Sequence, residues 1–217
     1  MKKILSALII AMAITPISAF AQFTDIADSK AKSEITALAE RGIIEGTSDT
    51  EFSPDANVTR AEFAAMLARA FDVSVSEYNN QFTDVYASDW FAKEASAMAE
   101  LGITDGYDDN TFRPYNNITN QEAQKLLVCT FESFAENIVA PLAYASFIHD
   151  SNDISGWATS YVGKAEIIGC LVYEQLEGKV LKMYPTKECT REDAALGIYR
   201  VLSAVDNYKT RVYAEEE

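Results

Sequence analysis

The sequence predicts an all-α protein: three helix-loop-helix repeats packed as a pseudo-threefold bundle. Internal repetition is the first observation behind this. Phe23-Thr24-Asp25 and Phe82-Thr83-Asp84 open two copies of one pattern, and from Gly42 and Gly102 onward the copies align without a gap at an offset of 60. Gly46 matches Gly106, Phe52 matches Phe112, Pro54 matches Pro114, Thr59 matches Thr119 and Glu62 matches Glu122. The second observation is apolar residues at helical spacing around each loop, with no run of alternating strand character. The third is physical: one such unit buries the apolar faces of its helices only against neighbours, which three copies supply.

Residues 1–21 read as a secretory signal peptide. Lys2 and Lys3 precede an apolar run from Ile4 to Ile14, and Ala19-Phe20-Ala21 sets cleavage before Gln22. The run is shorter than the roughly 20 residues a spanning helix needs. The chain is therefore expected to be secreted and, after cleavage, free of the membrane. Repeat one is then 22–80, repeat two 81–143 and repeat three 144–206, with 207–217 a charged tail lacking structure.

Each repeat follows one plan. Its first helix carries Ile35, Leu38 and Ala39 in repeat one; Ala95, Met98 and Ala99 in repeat two; Tyr161, Val162, Ala165 and Ile168 in repeat three. Gly42, Gly102 or Gly169 ends that helix as a left-handed cap. A loop rich in Gly, Asp and Pro follows, then the second helix. Repeat three is worn. Trp157 and Gly169 keep the separation of Trp90 and Gly102, and Pro185 and Thr190 keep the five-residue step of Pro54 and Thr59. Four extra residues lie between Gly169 and Pro185, and the Phe-x-Asp opening is blurred into FIHDSND.

The second helices start at Thr59-Arg60-Ala61-Glu62, Thr119-Asn120-Gln121-Glu122 and Thr190-Arg191-Glu192-Asp193. The first two fit a capping box; the third, with Asp, fits less well. Capping explains Thr and Glu but not Arg. A cation in the first turn is opposed by the helix dipole, by roughly 0.3–1 kcal/mol. One explanation is a surface Arg paired with a neighbouring acid. The other is an anion site in which a bound carboxylate satisfies both the guanidinium and free amides at the helix start.

Charge narrows the partners. Without the leader the chain has 16 basic and 33 acidic residues, a net charge of −17. Nucleic acid is not an expected partner, and an anionic ligand needs a local pocket. Cys170 and Cys189 sit at apolar positions, either as buried small hydrophobes or as a disulfide; Cys129 lies where repeat one has Arg69. The DGYDDNTF segment, Asp105–Phe112, lacks EF-hand spacing and reads as an inter-helix turn rather than a calcium loop. His149 is the single histidine, and no nucleophile–base or metal-ligand spacing is present. Neither catalysis nor a cofactor is expected.

The pattern F-x-D, a Trp, G-I-x-x-G, F-x-P and then [IV]-T-R-A-E resembles the S-layer homology repeat, from about Phe23 to about Ala204. That resemblance implies a pseudo-trimeric helical bundle holding exported protein on the bacterial cell wall or surface layer. It implies a secondary cell-wall polysaccharide as ligand, often with a pyruvylated sugar, bound in grooves between repeats. On the same basis Arg60 and Arg191 are carboxylate binders, with Thr59 and Thr190 at the same helix starts. Trp90 and Trp157 stack on sugar faces or else anchor the first helix in the core. Gly46 and Gly106 admit the sugar to the backbone or else serve turn geometry.

The match has gaps. Asn120 replaces the Arg of repeat two, and Lys30 stands at the place of Trp90 in repeat one. At most two competent grooves are therefore expected. Peptidoglycan, or a basic or amidated wall component, is the alternative ligand. The alternative class is an adaptor that uses the bundle for protein contacts. No attached effector domain is expected.

Overall fold

Three backbone hydrogen bonds close a ring at the centre of the molecule. Val58 N donates to Cys189 O (3.0 Å), Cys189 N to Ile118 O (2.8 Å) and Ile118 N to Val58 O (3.1 Å). Each residue is the buried apolar position just before a helix cap. The ring marks the pseudo-threefold axis, and it uses backbone groups that would otherwise be buried without partners.

The computed structural model describes residues 23–74, 77–137 and 147–215. Among these residues six α-helices carry the fold: α1 (Lys32–Glu40), α2 (Arg60–Ala70), α3 (Ala92–Glu100), α4 (Asn120–Phe134), α5 (Thr159–Ile168) and α6 (Arg191–Glu215). The first helix of each repeat packs on the second helix of the repeat before it: α3 on α2, α5 on α4, and α1 back on α6. The repeats are thus interlocked, which is why no single one buries its own helices. Ile35, Leu38, Ala95, Met98, Val162 and Ala165 face the core, as their spacing predicts. At the far end of the bundle Phe134 of α4 packs on Phe71, with ring centres 4.8 Å apart.

Local chemistry sets each turn. Gly42, Gly102 and Gly169 take φ of +69°, +69° and +83° directly after α1, α3 and α5, the left-handed cap a Cβ disfavours. Glu62 accepts from Thr59 N at 2.8 Å and Glu122 from Thr119 N at 2.9 Å, closing the two capping boxes. Thr190 Oγ1 still accepts from Asp193 N (3.2 Å), but the Asp193 carboxylate turns to Lys30 instead.

A carboxylate clamp holds each inter-helix loop. Asp25 accepts from Phe52 N (2.9 Å) and Ser53 N (2.7 Å), Asp84 from Phe112 N (2.7 Å) and Arg113 N (2.8 Å), and Asp150 from Met183 N (3.2 Å) and Tyr184 N (2.7 Å). The clamped residues Ser53, Arg113 and Tyr184 all have left-handed φ, at 58°, 55° and 47°. Non-glycine residues enter that region at a cost of about 1–2 kcal/mol. The paired charge-assisted bonds offset it. The clamp also settles the blurred opening of repeat three: Ile148-His149-Asp150 stands in for Phe-x-Asp, with Ile148 buried and Phe147 exposed.

Two secondary-structure elements depart from the sequence reading. The loop of repeat three, longer by four residues, forms a hairpin, with β1 (Glu174–Gln175) antiparallel to β2 (Leu181–Lys182). The tail expected to lack structure instead continues α6 to Glu215. The reason is an apolar stripe that does not stop: Val201, Leu202 and Val205 are buried, and Tyr208 meets Phe131 edge-on at 6.2 Å. The proposed signal peptide lies outside the described residues. Among the described residues, no helix is long and apolar enough to cross a membrane.

Candidate ligand-binding grooves

The first amides of each second helix are already taken. Arg60 N donates to Asn116 O (2.9 Å) and Ala61 N to Pro114 O (3.0 Å). Asn120 N and Gln121 N meet Lys187 O and Pro185 O, and Arg191 N and Glu192 N meet Ala56 O and Pro54 O. This corrects the expectation that a bound carboxylate shares the helix start with the guanidinium. Carbonyl oxygens of the neighbouring repeat occupy the positive end of the dipole. They also explain why a cation is tolerated there. Thr59 and Thr190 act as caps. Thr59 lines neither arginine-bearing groove, and Thr190 lines the third groove, away from Arg191.

Both arginine side chains turn onto the neighbouring repeat. The Arg60 guanidinium lies 5.1 Å from the ring centres of Tyr107 and Phe112 and donates to Thr104 Oγ1 at 2.9 Å. Arg191 lies 4.6 Å from the centre of Phe52 and donates to the carbonyls of Phe52 (2.8 Å) and Glu45 (2.6 Å). Arg60 and Arg191 are only 6% and 7% exposed. Among the described residues, neither has a carboxylate within ion-pair distance, and the buried Nε of Arg60 has no hydrogen-bond partner. Burial lowers the pKa of both, yet an arginine stays charged at any ordinary pH. Glu122 acts on Arg60, and Glu62 and Asp25 on Arg191, only from beyond ion-pair distance, so two buried positive charges lack a direct partner, which a bound anion would supply.

Each groove is assembled from all three repeats. The first, about 500 Å³, joins Arg60 of repeat one, Gly106, Tyr107 and Glu122 of repeat two and Trp157 of repeat three. The second, about 280 Å³, joins Arg191 of repeat three, Glu45, Gly46 and Glu62 of repeat one and Trp90 of repeat two. Arginine, glycine and tryptophan, far apart in sequence, meet twice in the same arrangement.

The tryptophans are 56% and 50% exposed, at Trp90 and Trp157. The following residues, Phe91 and Ala158, are the ones buried in the core. Core anchoring thus falls to the neighbour and leaves the indole to the groove. The glycines carry a structural duty as well. A Cβ on Gly46 would lie 2.4 Å from Glu51 O and 2.5 Å from Phe23 Cε1, and one on Gly106 would lie 2.6 Å from Phe82 Cε1 and Thr111 O.

The first groove contains a network that sequence reasoning missed. Tyr107 donates its hydroxyl to Glu122 at 2.5 Å. Burial opposes ionisation of Glu122, but the bonds from Tyr107 and Thr119 hold its pKa below the ordinary value. Burial, then that same bond, pushes Tyr107 up to about 12. Glu122 thus remains a fixed acceptor. The signal for it was the offset itself, since Tyr107 stands where repeat one has Thr47.

The third groove, about 300 Å³, differs at every one of these positions. Asn120 replaces Arg and spends its amide on Met183 O (3.0 Å) and Tyr184 O (3.1 Å). Met183 replaces the ring on which such an Arg would lie, and Tyr173 replaces the glycine. Lys30 replaces Trp and is held by Asp193 (2.6 Å) and Glu192 (3.5 Å).

Asp109 serves the turn from Asp105 to Phe112, accepting from Thr111 N (3.1 Å) and Arg113 (3.0 Å). Cys129, Cys170 and Cys189 are free thiols, so the disulfide alternative does not hold; Cys170 and Cys189 are buried apolar residues.

Residues 22–64 and 81–123 match the model of the S-layer homology domain. The chain is 34% identical over 186 residues to exoglucanase XynX of Acetivibrio thermocellus, covering 85% of this chain and 16% of that protein. It is 33% identical over 186 residues to an amylopullulanase of Thermoanaerobacterium thermosulfurigenes, covering 85% and 10%. It is 30% identical over 203 residues to a surface-layer 125 kDa protein of Lysinibacillus sphaericus, covering 93% and 17%. The chain thus spans no more than about a sixth of these relatives, enzymes and surface-layer protein alike. What they have in common with it is the repeat region, and the chain belongs to the S-layer homology domain family.

Proposed function

We propose that this chain is a non-catalytic wall-binding module whose two arginine-bearing grooves hold the carboxylates of an acidic cell-wall polysaccharide, the pyruvylated sugar being the fitting group. The observation that carries the reading is the pair of buried guanidiniums, Arg60 and Arg191, each without an ion-pair partner and each sharing a groove with a half-exposed tryptophan. A carboxylate supplies the missing direct ion pair through directional bonds. The indole supplies an apolar face for a sugar ring while its edge stays wet. The third groove, with its amide already engaged, does not take this ligand. The protein works outside the cell, at the surface.

Pull-down on purified wall sacculi tests this, before and after acid extraction of the secondary polysaccharide. Binding should need the polysaccharide and should be lost in Arg60→Ala/Arg191→Ala. Binding that survives extraction would point to peptidoglycan itself. Binding to neither would point to a protein partner.

A further inference from the structure

Each arginine-bearing groove has a second cation, and the two come from different places. In the second groove it is Arg69; in the first it is Lys125. The counterpart of Lys125 in repeat one is Ala65, and the counterpart of Arg69 in repeat two is Cys129. The cation has moved by four residues, about one helical turn. It nonetheless meets the equivalent acid: Lys125 Nζ is 3.5 Å from Asp105, and Arg69 is 3.8 Å from Glu45. Each acid immediately precedes its groove glycine.

These pairs are poor candidates for a folding role. The acids are 80% and 78% exposed, and exposed ion pairs contribute little to stability. The third groove lacks the arrangement. Val172 replaces the acid, and Arg200, at the position of Arg69, donates to the Leu171 carbonyl instead. The third groove's own ion pair, Lys30 with Asp193, stands at the tryptophan position instead, so a cation paired with the acid before the groove glycine accompanies the buried arginine.

We infer that Lys125 and Arg69 are second ligand contacts that set specificity, resting on Asp105 and Glu45 in the free protein and transferring to a second negative group of the glycan. The inference rests on the reading that these grooves hold an acidic wall polysaccharide. The buried arginine takes one carboxylate. The second cation takes another anionic group on the same or the adjoining sugar. The favoured ligand is therefore a glycan with two anionic groups within one groove length, and Asp105 and Glu45 compete with it from within.

The test is calorimetric titration of the protein with acid-extracted wall polysaccharide. Lys125→Met/Arg69→Met should weaken binding about tenfold, the size of one lost charge-assisted contact. Asp105→Asn/Glu45→Gln should strengthen it by roughly threefold, because the competitor is gone. A merely structural pair would give no gain. Lys125→Ala/Cys129→Arg, which moves the first groove's cation to the place used in the second, should restore affinity relative to Lys125→Ala. Wild-type affinity in the Met pair, or weaker binding in the Asn/Gln pair, would overturn the inference. Arg60→Ala/Arg191→Ala keeps the two readings apart: if it too binds as wild type, the polysaccharide reading itself fails.

Discussion

Arg191 donates Nε to the Phe52 carbonyl at 2.8 Å and lays its guanidinium over the ring of that same residue. It is a clamp between repeats three and one as well as a groove charge. Arg191→Ala leaves the Phe52 and Glu45 carbonyls without this donor, and about 2–3 kcal/mol of destabilisation is expected. A fall in the urea midpoint measures it. Arg191→Lys keeps the charge but not the planar fork, so it should recover only part of the loss.

The Asp25 clamp predicts an acid limit. The Asp25 pKa lies below its ordinary value of 3.8; burial opposes this, but the amides of Phe52 and Ser53 outweigh it. A carboxylate with a depressed folded pKa contributes stability above its unfolded value and loses it as pH falls through the folded one. Stability should therefore hold down to about pH 4 and decline below it. Asp25→Asn should lower stability at pH 7 and flatten the acid limb, which urea unfolding across pH shows.

Gly106→Ala pushes a methyl to 2.6 Å from both Phe82 Cε1 and Thr111 O. Overpacking of that kind costs about 1–3 kcal/mol. Thermal unfolding should show the loss, and the loop should shift at the mouth of the first groove.

Asn120→Arg alone should create no third site. Met183 offers no ring, Tyr173 fills the glycine position and Lys30 is tied to Asp193. Titration with wall polysaccharide should give unchanged stoichiometry. A gain of one site would show that arginine alone suffices.

The three thiols should separate by accessibility. Burial pushes Cys170 up to about 12 and also raises Cys189, so neither should react with a thiol reagent in the native protein. Partly exposed Cys129, pushed up to about 11, should react slowly, and all three should react in denaturant.

What the sequence revealed followed the range of each interaction. Capping boxes and glycine caps were legible because Thr59 and Glu62, or Ala39 and Gly42, act within one turn. The repeat offset exposed a bundle of three copies, but not that each first helix packs on the second helix of the repeat before it, a pairing made only by folding. The duties of Asp25 and Arg60 were not legible, since their partners lie in loops brought close only by folding: Phe52 for the first, Thr104 and Phe112 for the second. Free amides at Arg60 were expected because a helix start viewed alone has them; the neighbouring Pro114 and Asn116 carbonyls remove them. The charged tail read as unstructured because charge at Lys209 and Arg211 obscured the stripe that Val205 and Tyr208 continue.

Stoichiometry tests the central claim most directly. Calorimetric titration with a short, pyruvylated wall-polysaccharide fragment should give two sites per chain, one in Arg60→Lys or Arg191→Lys, and none in the double variant. Three sites, or two sites retained in the double variant, would contradict the assignment of binding to the grooves of Arg60 and Arg191.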